Sequence, residues 1–407
     1  MSEAGGDEKP LEIFIIAGES SGDMLGAGLM QALRAARPDA AFRGVGGPAM
    51  AGQGLQSLFP LADIAVMGFL PVLARLPKLL QRIRATADAV LASPPDVLVI
   101  VDSPDFTHRV AQRVRKARPD IPIVDYVSPT VWAWRPGRAK KMRPYIDLLL
   151  ALLPFEPDAH RRLGGPPCVY AGHPLTERLH DLQPATAQEA QARETGPPTI
   201  LILPGSRRSE IARLLDVFGQ TVERLHQAFP TADFVLPAVA HLQTALREQT
   251  ASWPVQPRIV IGEQEKFAAF RRARAALAAS GTVTLELALA RVPAVVGYRV
   301  SKLEEWIVRA LTTAPSFVLS NIILGENAVP GHVQEACNPQ TLAGDLIPLI
   351  RGGAERDRQC AALARLADIM RLPAGETPSL RAASEVLGVL DKKKGRAAAT
   401  LLNARSL

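Results

Sequence analysis

A short apolar run that gives way to a turn and then a helix recurs along this chain, and that repetition restricts the fold more than any other feature. Leu11–Ala17 reads LEIFIIA, stops at Gly18 and is followed by a helical pattern to about Ala36. A run this short and this continuously apolar is suited to burial on both faces, as in a parallel strand. Val97–Val101 leads into Asp102-Ser103-Pro104-Asp105-Phe106 and a helix to about Arg118, and Ile121–Tyr126 and Leu148–Leu153 follow. Residues 182–198 are polar and rich in Ala, Gln and Pro, the composition of a linker. A second series begins at Thr199–Leu203 and continues through Asp233–Leu236, Arg258–Ile261, Ala275–Ala278 and Ala294–Val296, with a helical pattern from about Pro339 to Leu390. The expected fold class is α/β, with two Rossmann-like doubly wound domains facing a cleft. The expected division is residues 1–181, a linker over 182–198, residues 199–390, and a basic, frayed tail over 391–407. The 407 residues suffice for two separate cores. In open α/β sheets ligands bind beyond the carboxyl ends of the strands, so chemistry is expected just after each apolar run.

Lys plus Arg number 47 against 40 Asp plus Glu, a formal charge of +7. That excess suits nucleotides, phosphosugars, acidic lipid surfaces or nucleic acid, and equally a basic proteome. Cys168, Cys337 and Cys360 are far apart, with no metal-ligand or redox spacing, which fits a reducing compartment. The opening MSEAGGDEKP lacks the basic start and apolar stretch of a signal peptide. No apolar run approaches the roughly 18 residues of a membrane span, so any membrane contact is expected to be peripheral.

Four segments of the first half carry candidate chemistry. Gly18-Glu19-Ser20-Ser21-Gly22-Asp23 follows the first strand. Its helix start favours an anionic group, and it reads equally as a capped turn. Asp102 ends the Val97–Val101 strand, and Asp105 lies three residues on. Transfer to a hydroxyl group needs a base, and a carboxylate at a strand end is suitably rigid; for Asp105 a helix cap remains an equal reading. Tyr126–Trp134 reads YVSPTVWAW and precedes Arg135, Arg138, Lys140 and Lys141. Trp132 and Trp134 beside these cations suit a lipid boundary or stacked bases, or one of them packs in the core. Met67–Arg84 mixes Met67, Phe69, Leu70, Val72 and Leu73 with Arg75, Lys78, Arg82 and Arg84 and contains no acid. It is expected to be an amphipathic membrane or acyl-binding surface, or else a core-facing helix with a basic outer side.

Three segments of the second half complete the set. In Leu203-Pro204-Gly205-Ser206-Arg207-Arg208-Ser209-Glu210, the amides at Gly205 and Ser206 suit a phosphate, Arg207 supplies a delocalised cation, and Ser209 is expected as the N-cap. Ser280-Gly281-Thr282 turns from a strand into a helix bearing Glu286, a carboxylate placed for ribose hydroxyls or merely for the helix dipole. Asn321 and Glu326 lie in a loop between apolar pieces, where Asn can meet sugar or base edges.

GESSGD, GVGGPAM, MGFLPVL, DSPDF, YVSPTVWAWRPGR, LPFEP, AGHPL, LPGSR, SGTVTLEL, VVGYRVS and SNIILGE occur in this order between about Ile13 and Glu335. In that set and order the chain resembles the lipid-A-disaccharide synthases. The YVSPTVWAW string is specific to that family, whereas LPGSR and SGTVTLEL resemble features shared by two-domain nucleotide-sugar transferases. The resemblance implies the glycosyltransferase B-type fold and an inverting transfer of 2,3-diacylglucosamine from UDP to the 6-hydroxyl of 2,3-diacylglucosamine 1-phosphate. By motif, Asp102 matches the family's base, Glu19 sits in its acceptor-side loop and joins Asp102 and Asp105 as catalytic candidates, and Arg207, Glu286 and Asn321 fall in its UDP-side motifs. Ser320 departs from a frequent Pro, and within Ser20-Ser21 the x position of the family's GExSGD pattern is variable. No DxD-type metal motif is present, so no metal and no cofactor are expected, and Arg207 with helix amides would hold the diphosphate. The implied partners are UDP-diacylglucosamine, an acylated monosaccharide phosphate and an anionic membrane surface at the cytoplasmic face of the inner membrane, with a homodimer by C-terminal exchange. Another UDP-sugar transferase or an epimerase of the same fold is the alternative. A nucleic-acid-binding α/β protein ranks far lower, because it leaves Asp102, Glu286 and the Ser-Gly-Thr turn unexplained.

Overall fold

The structure is a computed structural model that describes residues 10–64, 69–301 and 315–404, with side chains described outside 69–74 and 394–404. The described residues divide into two compact units, one within Met1–Pro174 and Leu372–Leu407, the other within Leu175–Arg371.

The first unit contains a parallel sheet of β1 Glu12–Ala17, β2 Ala41–Val45, β3 Val97–Val101, β4 Ile123–Tyr126, β5 Leu148–Ala151 and β6 Cys168–Tyr170. The strand order is β2-β1-β3-β4-β5-β6. The side-chain period of two splits each strand between two helical layers. Ile13, Ile15 and Ala17 pack with Leu29, Met30 and Leu33 on one face. Phe14 and Ile16 pack with Ile83, Val90, Phe106 and Val110 on the other. A strand buried on both sides must be apolar at every position, which is why these runs stood out.

The second unit contains β7 Thr199–Leu203, β8 Asp233–Ala238, β9 Arg258–Ile261, β10 Ala273–Ala279, β11 Ala294–Tyr298 and β12 Gly331–Val333, all parallel. Their order β9-β8-β7-β10-β11-β12 is the Rossmann order 3-2-1-4-5-6. The order reverses between β7 and β10 here and between β1 and β3 in the first sheet, so each unit has its own switch point, the place where open α/β sheets bind ligands.

Two expected boundaries differ from the structure. The segment expected to be a linker contains a helix, Ala187–Thr195, that belongs to the second unit. Arg193 is buried and donates to the carbonyl of Ala290, and Glu194 pairs with Arg274 and Arg356. Polar composition marked exposure, yet these charges have buried partners distant in sequence. The helix Pro378–Ala404, expected to close the second domain and end in a frayed tail, belongs to the first unit. Ala382, Ala383, Val386 and Leu390 pack on the Leu29–Leu33 face. A Cβ on Gly28 would lie 2.7 Å from Ser379 Oγ, so an alanine there would require that hydroxyl to turn aside. Helical periodicity reveals an apolar face but not which sheet covers it.

Candidate functional site

At the first switch point, Gly18 ends β1, Glu19 is the N-cap residue and the helix Ser20–Ala36 begins. A Cβ on Gly18 would lie 2.0 Å from Ser103 Cβ, so only glycine lets the loop after β3 come this close. Asp102 follows β3, and its amide donates to the Tyr126 carbonyl at 3.0 Å. Asp102 and Ser103 both adopt left-handed backbone, at φ +56° and +47°. Consecutive non-glycine residues in that region are strained and persist only when neighbours hold them. Here Ser103 N donates to Asp102 Oδ1 at 2.7 Å and Thr107 Oγ1 donates to the Asp102 carbonyl at 2.8 Å. Ser21 Oγ donates to Asp102 Oδ2 at 3.2 Å, joining the two loops. Ser20 is exposed and Gly22 is buried against the Val101 carbonyl.

Other candidates in this unit have structural partners. Asp23 is buried and accepts from the amides of Gly47, Ala49 and Met50 at 2.7, 2.8 and 3.1 Å. It caps the helix Pro48–Gly52 rather than facing a ligand, a correction to its place in the anion-binding loop. Asp105 points outward, with its carboxylate 3.5 Å from Arg138. Trp134 is exposed with the Arg135 guanidinium 4.0 Å above its ring. Trp132 turns inward, packs edge-on against Phe155 at 5.0 Å and donates from Nε1 to Glu156 Oε1 at 3.0 Å.

The helix Phe69–Ala92 runs on through Pro77. Its charge is not unopposed: Asp63 lies 2.6 Å from Lys78 and 2.6 Å from Arg82. Lys78 and Arg82 hold the Asp63 carboxyl below its usual range. The partner acid stands upstream of the window that looked purely basic. Arg75 is exposed. Met67 and the side chains of Phe69, Leu70, Val72 and Leu73 lie outside the described residues.

Buried titratable groups that sequence reasoning missed lie nearby. Asp125 on β4 and His108 on the helix Pro104–Ala117 approach to 3.1 Å, with Tyr145 OH 3.1 Å from His108 Nδ1. Burial raises Asp125, and the His108 charge counters it. Glu156 is 3% exposed and accepts from Trp132 and, at 3.0 Å, from the Leu153 amide. His160 Nε2 lies 2.8 Å from Ser128 Oγ. Acids and histidines inside helices give no periodic signal of their own, although LPFEP and YVSPTVWAW had flagged the two ends of this contact.

At the second switch point a cavity of about 700 Å³ opens between the loops after β7 and β10. Of the nine candidates named for this side, Gly205, Ser206, Arg207, Ser280, Gly281, Thr282 and Glu286 line it. Gly205 has φ +112°, and a Cβ there would lie 2.6 Å from Glu210 Oε2. The helix Arg208–Ala228 starts here, with Arg207 rather than Ser209 as its N-cap. Arg207 is largely exposed, and its guanidinium donates to Glu210 Oε1 at 2.9 Å. Ser280 Oγ donates to the Phe317 carbonyl at 2.6 Å. Glu286 lies 2.6 Å from Lys266 Nζ, a cavity-lining cation absent from the sequence reading. The signal for Lys266 was its place one turn into the helix after β9.

The remaining two candidates are elsewhere. Asn321 is buried, with Nδ2 donating to the Val329 carbonyl and Oδ1 accepting from the Val329 amide, both at 2.9 Å. Both ends of its amide close the loop. Glu326 pairs with Arg365 and lines a separate cavity. Among the described residues no group of three or more His, Cys, Asp or Glu is placed to hold a metal ion.

A family model described as lipid-A-disaccharide synthetase matches residues 13–377. A lipid-A-disaccharide synthase of Rhodopseudomonas palustris (strain HaA2) is 54% identical over 381 residues, covering 93% of this chain and 96% of the relative. Among solved structures, the UDP-GlcNAc 2-epimerase of Neisseria meningitidis bound to UDP-GlcNAc aligns with a TM-score of 0.57 at 12% identity, over 94% of this chain and 100% of that one. The glycotransferase of kitacinnamycin aligns with a TM-score of 0.57 at 14% identity, over 93% and 98%. Those two likenesses establish the shared two-Rossmann architecture, and the sequence match establishes the narrower group: the chain belongs to the lipid-A-disaccharide synthase family.

Proposed function

We propose that the chain transfers 2,3-diacylglucosamine from UDP to the 6-hydroxyl of 2,3-diacylglucosamine 1-phosphate, with the acceptor at the β1/β3 switch point and the donor at the β7/β10 switch point. One displacement with inversion suffices. The acceptor oxygen attacks the anomeric carbon, its proton passes to Asp102, and the bond to UDP breaks with the electron pair leaving on the diphosphate. Asp102 suits the base because the strained turn and the Ser21 contact fix its direction, whereas Asp105 is exposed beside Arg138. Arg207 and the amides at the start of Arg208–Ala228 meet the charge that develops on the leaving group. Glu286 accepts from the ribose. The observation that carries this reading is the convergence of Gly205, Ser206, Arg207, Ser280, Gly281, Thr282 and Glu286 on one cavity of about 700 Å³, within the range that small-ligand pockets occupy. The fold neighbour of Neisseria meningitidis was solved bound to UDP-GlcNAc, in keeping with a nucleotide-sugar donor.

Among the described residues no helix is long and apolar enough to cross a membrane. The acyl chains of both substrates place the reaction at a bilayer surface, which we assign to the cytoplasmic face of the inner membrane. Arg75 and its helix provide the approach to anionic head groups. The test is incubation with UDP-diacylglucosamine and the acylated monosaccharide 1-phosphate, with and without EDTA. Disaccharide and UDP should form in equal amounts under both conditions. Donor consumption without disaccharide would overturn the reading.

A further inference from the structure

We propose that Glu156 is a positioning residue for the acceptor side: its carboxylate, by accepting the Trp132 indole and the Leu153 amide, fixes the loop 127–134 beside Asp102. This rests on the acceptor assignment made above. The loop leaves β4, the strand paired with β3, and the Asp102 amide is bonded to Tyr126 immediately before it. Val127 begins the loop at φ +94°, outside the range a β-branched residue adopts without restraint. The restraint comes from inside the unit. Glu156 opens the helix Glu156–Arg162, which follows β5. One carboxylate oxygen takes Trp132 Nε1 and the other takes Leu153 N, both at 3.0 Å, and Ser128 at the loop's start lies 2.8 Å from His160 Nε2. The loop is therefore tied at Ser128 and Trp132 to a single short helix, while Trp134 at its end and Arg135 just beyond remain stacked and exposed.

A carboxylate can accept at both oxygens, but a protonated carboxyl carries a hydrogen on one and loses an acceptor there. The titratable groups that face Glu156 offer no opposing charge. Burial lowers His160 to about 4. Burial also raises the Cys168 thiol and the Tyr170 phenol, which keeps both uncharged. Glu156 itself is pushed up to about 7 by burial, against the donors at Leu153 and Trp132. Above that value both ties hold, and below it one is lost, so acceptor use should fall as pH falls through about 7.

The experiment measures kcat/KM for acceptor between pH 6 and 8.5, and UDP affinity by calorimetry, for the wild type, Glu156→Gln and Trp132→Phe. Glu156→Gln holds the neutral form at every pH, and Trp132→Phe removes the indole N–H while keeping a ring against Phe155. Both variants should lose at least about tenfold in acceptor kcat/KM at pH 8, the scale on which a misplaced group is felt, and both should lack the limb near pH 7. Their UDP affinity should stay at the wild-type value, and the double variant should be no worse than either alone. A folded variant with wild-type acceptor kcat/KM at pH 8 overturns the proposal, as does a parallel loss of UDP affinity. Should Glu156→Gln fail to fold, Trp132→Phe decides alone. A wild-type protein that forms no disaccharide refutes the proposed reaction instead. The positioning claim is then read from the Trp132 indole N–H resonance, identified by its absence in Trp132→Phe. Titration of that resonance near pH 7 supports the claim, and a pH-independent resonance overturns it.

Discussion

The loops at the β1/β3 switch point are bound to their own unit, whereas those at β7/β10 leave polar groups facing an open cavity. Asp102 is held by Ser21 and by its own neighbours, Asp23 takes three backbone amides, and Trp132 is anchored on Glu156. In the second unit, Arg207 is largely exposed with Glu210 as its partner, and Gly205, Gly281 and Thr282 line the cavity. Under the proposed reaction, the contrast matches what each side would have to do. A single base acts only if its direction is fixed before the acceptor arrives. A diphosphate is a multivalent anion that several amides and a guanidinium can meet from different directions.

Substitutions can break this contrast or sharpen it. The largest effect is expected for Asp102→Asn, nearly isosteric but unable to take the proton: turnover should fall on the order of 10²-fold or more with UDP affinity intact. Turnover near that of the wild type, with the fold verified by circular dichroism, would remove Asp102 as the base. Arg207→Ala should do the opposite to binding, weakening UDP by roughly 10- to 100-fold along with turnover, because a charge-assisted contact to the diphosphate is lost. Arg207→Lys should recover only part, since the planar fork is missing. Calorimetry with UDP decides, and unchanged affinity in Arg207→Ala would exclude the role. In the bound loops the cost should be stability. Asp23→Ala leaves three amides without their carboxylate and should lower unfolding free energy by about 2–3 kcal/mol. Asn321→Ala should cost about 1–3 kcal/mol by freeing both Val329 groups. Denaturant titration measures both, and an unchanged midpoint in either would show that the residue is not a pin. The smallest effect belongs to Arg75→Ala, about 1 kcal/mol of attraction to anionic vesicles, read by sedimentation at low salt. Vesicle binding equal to the wild type would move the membrane contact elsewhere.

The central strands were legible because burial on both faces forces a continuous apolar run, as in Val97–Val101. The short strands AFRGV, CVY and GHV were not, because they hold no continuous aliphatic run, whereas the edge strand Arg258–Ile261 keeps one in Ile259–Ile261. Position after a strand led to the loops, and seven of the nine candidates of the second half line one cavity. It could not separate a polar residue aimed at a ligand from one aimed at backbone. Asp23 and Gly47, or Asn321 and Val329, meet across loops whose path the pattern leaves open. The same limit hid Glu156, whose partner Trp132 lies 24 residues earlier on a different loop.

The return of Pro378–Ala404 to the first sheet governs the order in which the chain can mature. Synthesis runs from the amino end, so the whole of Leu175–Arg371 is made before Ala382, Ala383, Val386 and Leu390, the residues that cover Leu29, Met30 and Leu33. The second unit is contiguous and can fold as it appears, while the first stands with one apolar layer open to solvent until the last helix arrives. A chain lacking everything after Arg371 would thus keep the second unit whole and leave the Leu29–Leu33 face of the first without its covering helix.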